Sequence, residues 1–346
     1  MSKRSVKPLI PVLSLLFALL AGSLIIAATG SDPLEVWQKM LRSTFASGYG
    51  IGQVLFRATT LIFTGLAVAL PFRVRLFNIG GEGQLLMGAF AAALCGIALP
   101  ASTPAMIAIP TLLLSAMSAG AGWALIAGWL KVRRGVNEVI SSIMLNFIAL
   151  AITGYLLTNR FAVPSTVHTP VIAPGGWLPD FDTLFRLGWH SPANFSLFIA
   201  LAVTAGAAVL LYRSRYGYDM IAAGLNADAA RHAGIATDRH TLGAMAMGGA
   251  MAGLAASNLV LGYKHWFEAG LSTGAGFMGI AVALLAGANP AGIIASALLF
   301  AWLDYGGLAV NTLVPKDIFM MVQAITILSI ISFPALLGTR LKREKE

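Results

Sequence analysis

Residues 54–99 read VLFRATTLIFTGLAVALPF, then RVRL, then FNIGGEGQ, then LLMGAFAAALCGIAL, and this stretch decides the solvent in which the chain folds. Two apolar runs flank a short basic link and a glycine-rich octet. At 1.5 Å per residue, about 20 residues of helix cross about 30 Å of hydrocarbon, and the first run has that length. Working outward, the same pattern recurs along the whole chain. The 346 residues are 58% hydrophobic and only 11% charged, against about 45–50% and about 25% in soluble domains. So few charges cannot cover a water-facing surface of this size. The solvent is a bilayer.

Apolar runs at 9–28, 54–72, 85–99, 105–130, 139–157, 195–212, 241–262, 277–288, 291–308 and 318–337 predict an all-α polytopic protein of about ten transmembrane helices, forming a single transmembrane domain over 1–346. The first run follows Lys3, Arg4 and Lys7, as a signal peptide would, but signal-peptide cores run about 7–15 residues, so a retained helix is expected. Orientation follows from Lys and Arg in the connections. With the N-terminus inside, sixteen of the 23 basic residues fall on the cytoplasmic side, including Arg73, Arg75, Lys131, Arg133, Arg134 and the group at 213–240. Both termini are then expected in the cytoplasm.

The net charge of +9 comes in short clusters between apolar runs, without aromatic interleaving, which argues against nucleic acid. The single cysteine, Cys95, lies in an apolar run, so no disulfide framework is possible. The histidines show no metal-ligand spacing. No catalytic constellation is present, and the chain is not expected to be an enzyme or to hold a metal or cofactor.

Two spans are short or interrupted, which in transporters points towards the substrate path. The first is FNIGGEGQ, where three glycines in four positions break helix cheaply. Asn78, Glu82 and Gln84 either satisfy a break inside the membrane or cap the next helix at its inner face; both readings stand. The second is the run beginning at Phe277, too short to cross untilted before Asn289-Pro290. Its GIAVAL at 279–284 echoes GLAVAL at 65–70, which hints at a five-plus-five internal repeat. Asn146 and Asp304 are polar groups at membrane depth, functional candidates by default. Gly249 and Gly253 have the spacing for close helix packing. Outside, residues 30–53 carry an amphipathic pattern at Leu34, Trp37, Met40 and Leu41, suited to the interface. The loop 158–192, with Trp177 and Trp189, is either a docking surface or an aromatic belt.

The cytoplasmic segment 213–240 is the most informative. Asn226 can cap a short helix over 227–233 that Gly234 closes, with Asp228 in the first turn and Arg231 and His232 in the last, each matched to the dipole. Ala229 and Ala230 make its sides small, so a groove in another protein can receive it.

FNIGGEGQ (77–84), NEVISSIMLN (137–146), GLNADAARHAGI (224–235) and GIAVALL (279–285) resemble permease subunits of ABC importers in the branched-chain amino acid, ribose and nucleoside permease superfamily. The likeness runs from about residue 50 to 335 and is nearest the nucleoside or simple-sugar branch. It implies a multi-pass protein of the bacterial inner membrane whose path opens alternately to each side. It implies a separate cytoplasmic ATP-binding subunit that holds ATP and Mg, a second homologous permease subunit, and an extracytoplasmic lipoprotein substrate receptor. Gly224, Asn226, Asp228, Ala229, Ala230 and Gly234 would belong to the coupling helix. Asn78, Glu82, Gln84, Asn146 and Phe277 would border the substrate path. A nucleoside, purine favoured, is the expected cargo; a pentose or other simple sugar is the alternative. Met278 stands where a more polar residue is expected in relatives. A self-sufficient secondary transporter would need more ionisable residues at depth than Glu82 and Asp304.

Overall fold

In hydrocarbon no water pairs with free N–H and C=O groups, so a chain this apolar satisfies its backbone within helices. The computed structural model describes residues 9–343 and follows that rule; the charges at Lys3, Arg4, Lys7 and Lys345 lie outside the described residues. Among the described residues, extended pairing is limited to two isolated bridges, His168–Glu268 and Asp180–Asn194.

Helix α1 (Leu9–Ala28) is followed, after a sharp bend, by α2 (Pro33–Phe45), whose start is capped by Asp32. The helix expected here is present, but Trp37 and Met40 turn inward, against Trp302 and Gly306, while Leu34 and Leu41 stay exposed. Next come α3 (Gly48–Phe72), α4 (Gly81–Ala98), α5 (Ala105–Arg134) and α6 (Glu138–Leu156). Asn137 caps α6 through its side chain, as the sequence suggested. After a π turn at Leu157–Phe161, the loop up to residue 192 carries the short α7 (Phe181–Phe185). Then follow α8 (Ser196–Arg213), α9 (Arg215–Leu225), α10 (Ala227–His232) and α11 (Thr237–Leu254). A π segment, Ser257–Lys264, extends α11, and α12 (Ala275–Leu285), α13 (Pro290–Ala309) and α14 (Asp317–Arg343) complete the chain.

Seven helices are long and apolar enough to cross a membrane, or eight if α1 and α2 count as one bent span; the chain is a multi-pass membrane protein. The sequence predicted ten runs at these places. The difference lies in α1, in α14 and in α12, which has only 11 residues, about 16 Å.

Helix α3 is the axis of the molecule. Every residue from Ala58 to Pro71 is buried, because α11, α12 and α13 all pack on it. Small residues set these approaches. A Cβ on Gly253 would stand 2.2 Å from the Ala116 carbonyl oxygen, and one on Gly249 2.2 Å from that of Gly120, so α5 and α11 touch backbone to backbone. The two echoing stretches meet in the same way: Gly279 lies on Thr64, and Gly65 faces Val282.

Candidate functional site

The octet FNIGGEGQ begins unwound and ends as helix. Residues 73–80 form turns and irregular backbone, and α4 resumes at Gly81, so Glu82 and Gln84 occupy its first turn. An unwound segment inside an apolar protein must find partners for its freed groups. Asn78, fully buried, makes four hydrogen bonds, one of them to a backbone amide of the break. Its Nδ2 donates to the Ala67 carbonyl (3.1 Å) and to Gln84 Oε1 (3.0 Å), while its Oδ1 accepts from the Gly80 amide (3.0 Å) and from Gln84 Nε2 (2.9 Å). Asn146, reaching in from α6, accepts from the Gly83 amide and donates to the Ile79 carbonyl, each at 2.9 Å. The amides therefore act on the break itself.

Glu82 works differently. Its carboxylate reaches across the fold, accepting from the Ser272 hydroxyl and, at 2.8 Å, from the Gly276 amide in the first turn of α12. The starts of α4 and α12 thus meet, so closely that a Cβ on Gly276 would lie 2.2 Å from the Glu82 nitrogen. Each helix start carries a partial positive charge from its unpaired amides, and the one carboxylate faces both. These contacts satisfy the buried acid with no ion pair to it among the described residues. Phe277, next in sequence, is exposed. Among the five residues expected at the path, four converge on this joint, and Phe277 adjoins it with its ring turned outward.

In the segment 213–240 the capped helix is present as α10. Asn226 Oδ1 accepts from the Asp228 and Ala229 amides, both at 3.0 Å, and Gly234 takes the left-handed φ of +83° that closes the helix. Ala229 is exposed, whereas Ala230 is buried in the chain's own body and cannot contribute its side chain to an outside surface. Gly224 lets α9 touch the link into the break: a Cβ there would stand 2.0 Å from the Arg73 carbonyl oxygen. A cavity of about 290 Å³ separates α10 from this link, bordered by Arg75, Lys131, Arg231 and Asp238.

On the opposite side the loop 158–192 is zipped onto the chain after α11. The Thr169 amide donates to the Phe267 carbonyl (2.9 Å), Ile172 to His265 (2.9 Å) and Leu178 to Leu261 (2.9 Å). Trp177 stacks on His265 at 4.2 Å between ring centroids. A cavity of about 860 Å³ opens beside them, reached also by Tyr49, Gln53 and Tyr263.

Sequence reasoning missed three features. Helix α9 follows Ser214, whose hydroxyl accepts from the Gly217 amide, an N-cap signal legible in SRYG. Asn258 donates to the Phe56 carbonyl and the Thr60 hydroxyl, both 2.8 Å, and accepts from Asn194 at 2.9 Å; nothing local in the sequence pairs these residues. Arg57 forms an ion pair with Asp304, joining α3 to α13.

No solved structure matches the chain. Several curated proteins do. A guanosine ABC transporter permease of Bacillus subtilis (NupP) is 34% identical over 339 residues, which cover 96% of this chain and 95% of that one. A nucleoside ABC transporter permease of Lactococcus lactis subsp. cremoris (NupB) is 32% identical, covering 94% of this chain and 90% of its own. A glucose ABC transporter permease of Haloferax volcanii (TsgB13) is 35% identical, covering 93% of this chain and 86% of its own. The family described as branched-chain amino acid transport system / permease component matches residues 50–331, from the first turn of α3 well into α14, and the chain belongs to that permease family.

Proposed function

We propose that this chain is the membrane-spanning subunit of an ATP-driven ABC importer for nucleosides, purine nucleosides foremost. The observation that carries the reading is the near full-length match to a guanosine permease. The protein is placed in a bacterial inner membrane with both termini in the cytoplasm, ten apolar helices and a five-plus-five repeat. The positive-inside count and the echo between residues 65–70 and 279–284 support that placement. Chemistry belongs to a separate ATP-binding subunit that holds ATP and Mg; a second permease and an extracytoplasmic lipoprotein receptor complete the machine.

In this reading Gly224, Asn226, Asp228, Ala229, Ala230 and Gly234 form the coupling element. The exposed side of α10, with Ala229, enters the groove of the ATPase, and Ala230 anchors the helix to its own protein. Movement of α10 passes through the contact of Gly224 with Arg73 into the unwound link. From there it reaches the joint held by Asn78, Glu82, Gln84 and Asn146, beside which the solute passes Phe277. Opening to one side then means shifting α4 and α12 as a unit, because Glu82 ties them.

The test is reconstitution. Proteoliposomes holding both permeases and the ATPase, supplied with guanosine-loaded receptor, accumulate guanosine only with ATP, and the chain alone moves nothing. Uptake by the lone chain on an ion gradient would refute the assignment. A simple sugar is the second reading, favoured by the similarity to a glucose permease; glucose accumulation under the same conditions would decide for it.

A further inference from the structure

The half-length helix α12 leaves something uncovered. It meets α3 at Thr64 and Gly65, through Gly279 and Val282. Arg57 lies about 10 Å farther out along α3, above the start of α12. There Tyr49, Gln53 and Arg57 follow one another at four-residue spacing, on one face of the helix. The Tyr49 hydroxyl accepts from Gln53 Nε2 at 2.9 Å. Arg57 pairs with Asp304 and lies 6.0 Å from the Tyr305 ring. Tyr263 flanks the same stretch from the π segment, its ring tilted against Phe56 with centroids 4.9 Å apart. The ion pair is not sealed: the Arg57 and Asp304 side chains are 29% and 51% exposed.

Half-exposed charges within two membrane-spanning helices do not face lipid acyl chains; such groups face a partner helix or a water-filled path. Tyr49, Gln53 and Tyr263 also border the 860 Å³ cavity, and Arg57 lies one helical turn beyond Gln53 on the same face of α3. Resting on the importer reading, we infer that the cleft of Tyr49, Gln53, Arg57, Tyr263, Asp304 and Tyr305 is a solute-binding station for a neutral ring bearing vicinal hydroxyls, as in ribose or a hexose. Asp304 accepts from the diol and Arg57 donates to it, so the pair, neutral as a unit, binds hydroxyls without demanding charge. The tyrosine rings supply flat apolar faces for the ring system.

Two measurements test this on the complete transporter. In a Cys95→Ser background, Gln53→Cys is expected to react from the outside with a charged, membrane-impermeant maleimide; absence of reaction means a dry cleft and overturns the inference. Asp304→Asn is expected to lower receptor-dependent uptake of guanosine about tenfold or more, with a far smaller loss for 2′-deoxyguanosine. Glucose and 2,4-dideoxyglucose, which has no vicinal hydroxyl pair, form the matching pair for a sugar importer. Equal losses for diol and deoxy cargo would reduce the pair to a structural strut and overturn the proposal. Failure of the wild-type assembly to import any of the four refutes the importer reading instead, and the maleimide result still decides whether the cleft is wet.

Discussion

Gly276→Ala places one methyl group at the meeting point of α4 and α12. The new carbon would stand 2.2 Å from the Glu82 nitrogen and 2.4 Å from its Cα, both backbone atoms that no rotamer change can move. The helix starts must separate. Separation stretches the 2.8 Å bond from the Gly276 amide to the Glu82 carboxylate. A hydrogen bond to a charged group is worth about 1.5–3 kcal/mol, and overpacking a close contact costs about 1–3 kcal/mol. Alanine's better helix propensity returns at most about 1 kcal/mol. The net loss is therefore about 2–5 kcal/mol. Gly154→Ala is the control, since nothing lies within 4 Å of a Cβ there and only the favourable propensity remains. Unfolding of the purified protein in detergent, followed by tryptophan fluorescence at one heating rate, separates the two: Gly276→Ala shifts the midpoint down by several degrees, Gly154→Ala leaves it level or raises it. Adding Glu82→Ala to Gly276→Ala should cost much less than the sum of the two single changes, since both break one joint. An unchanged midpoint for Gly276→Ala, or full additivity, would refute the idea that the helix starts are clamped together.

Three further outcomes follow from the geometry. Asn146→Ala strips partners from the Gly83 amide and the Ile79 carbonyl in a dry interior, a loss of about 2–4 kcal/mol readable in the same melting assay. His265 sits outside the spans, and burial holds its pKa below the ordinary histidine value, outweighing the raising effects of the Leu261 carbonyl and Asp180. The folded state then binds fewer protons than the unfolded one, so stability is complete above about pH 6.5 and declines as pH falls towards the lowered folded value. Melting curves across that window should show the decline, and His265→Gln should flatten it. Ala229→Arg should abolish copurification with the ATPase while the permease still inserts, whereas Ala230→Arg should first damage the packing of α10 on its own protein and lower its melting midpoint.

What the sequence made legible was local. Asn226, Asp228 and Gly234 announce α10 because caps and dipole partners act within a few residues of the helix they serve. Asn137 marks α6 for the same reason. Gly249 and Gly253 announce a close helix approach, yet they do not name α5 as the neighbour, since that choice is made by Gly120 and Ala116 far away in the chain. The inward turn of Ala230 was hidden by a related limit: a six-residue helix of small side chains has no hydrophobic pattern strong enough to say which side faces in.

The two oddities of the chain, the glycine-rich octet and the half-length α12, look unrelated in one dimension because they lie far apart. Each poses a problem it cannot solve alone. Glu82, placed by the octet in an apolar interior, needs hydrogen-bond donors; the start of α12, beginning inside the protein, needs an acceptor for its free amides. The bond between Glu82 and Gly276, spanning 194 residues, answers both needs at once. It follows that neither feature is tolerable without the other. Straightening the octet into regular helix would carry the carboxylate away from Gly276, and lengthening α12 into a full span would drive it through the first turn of α4. The short helix and the broken one are a single joint.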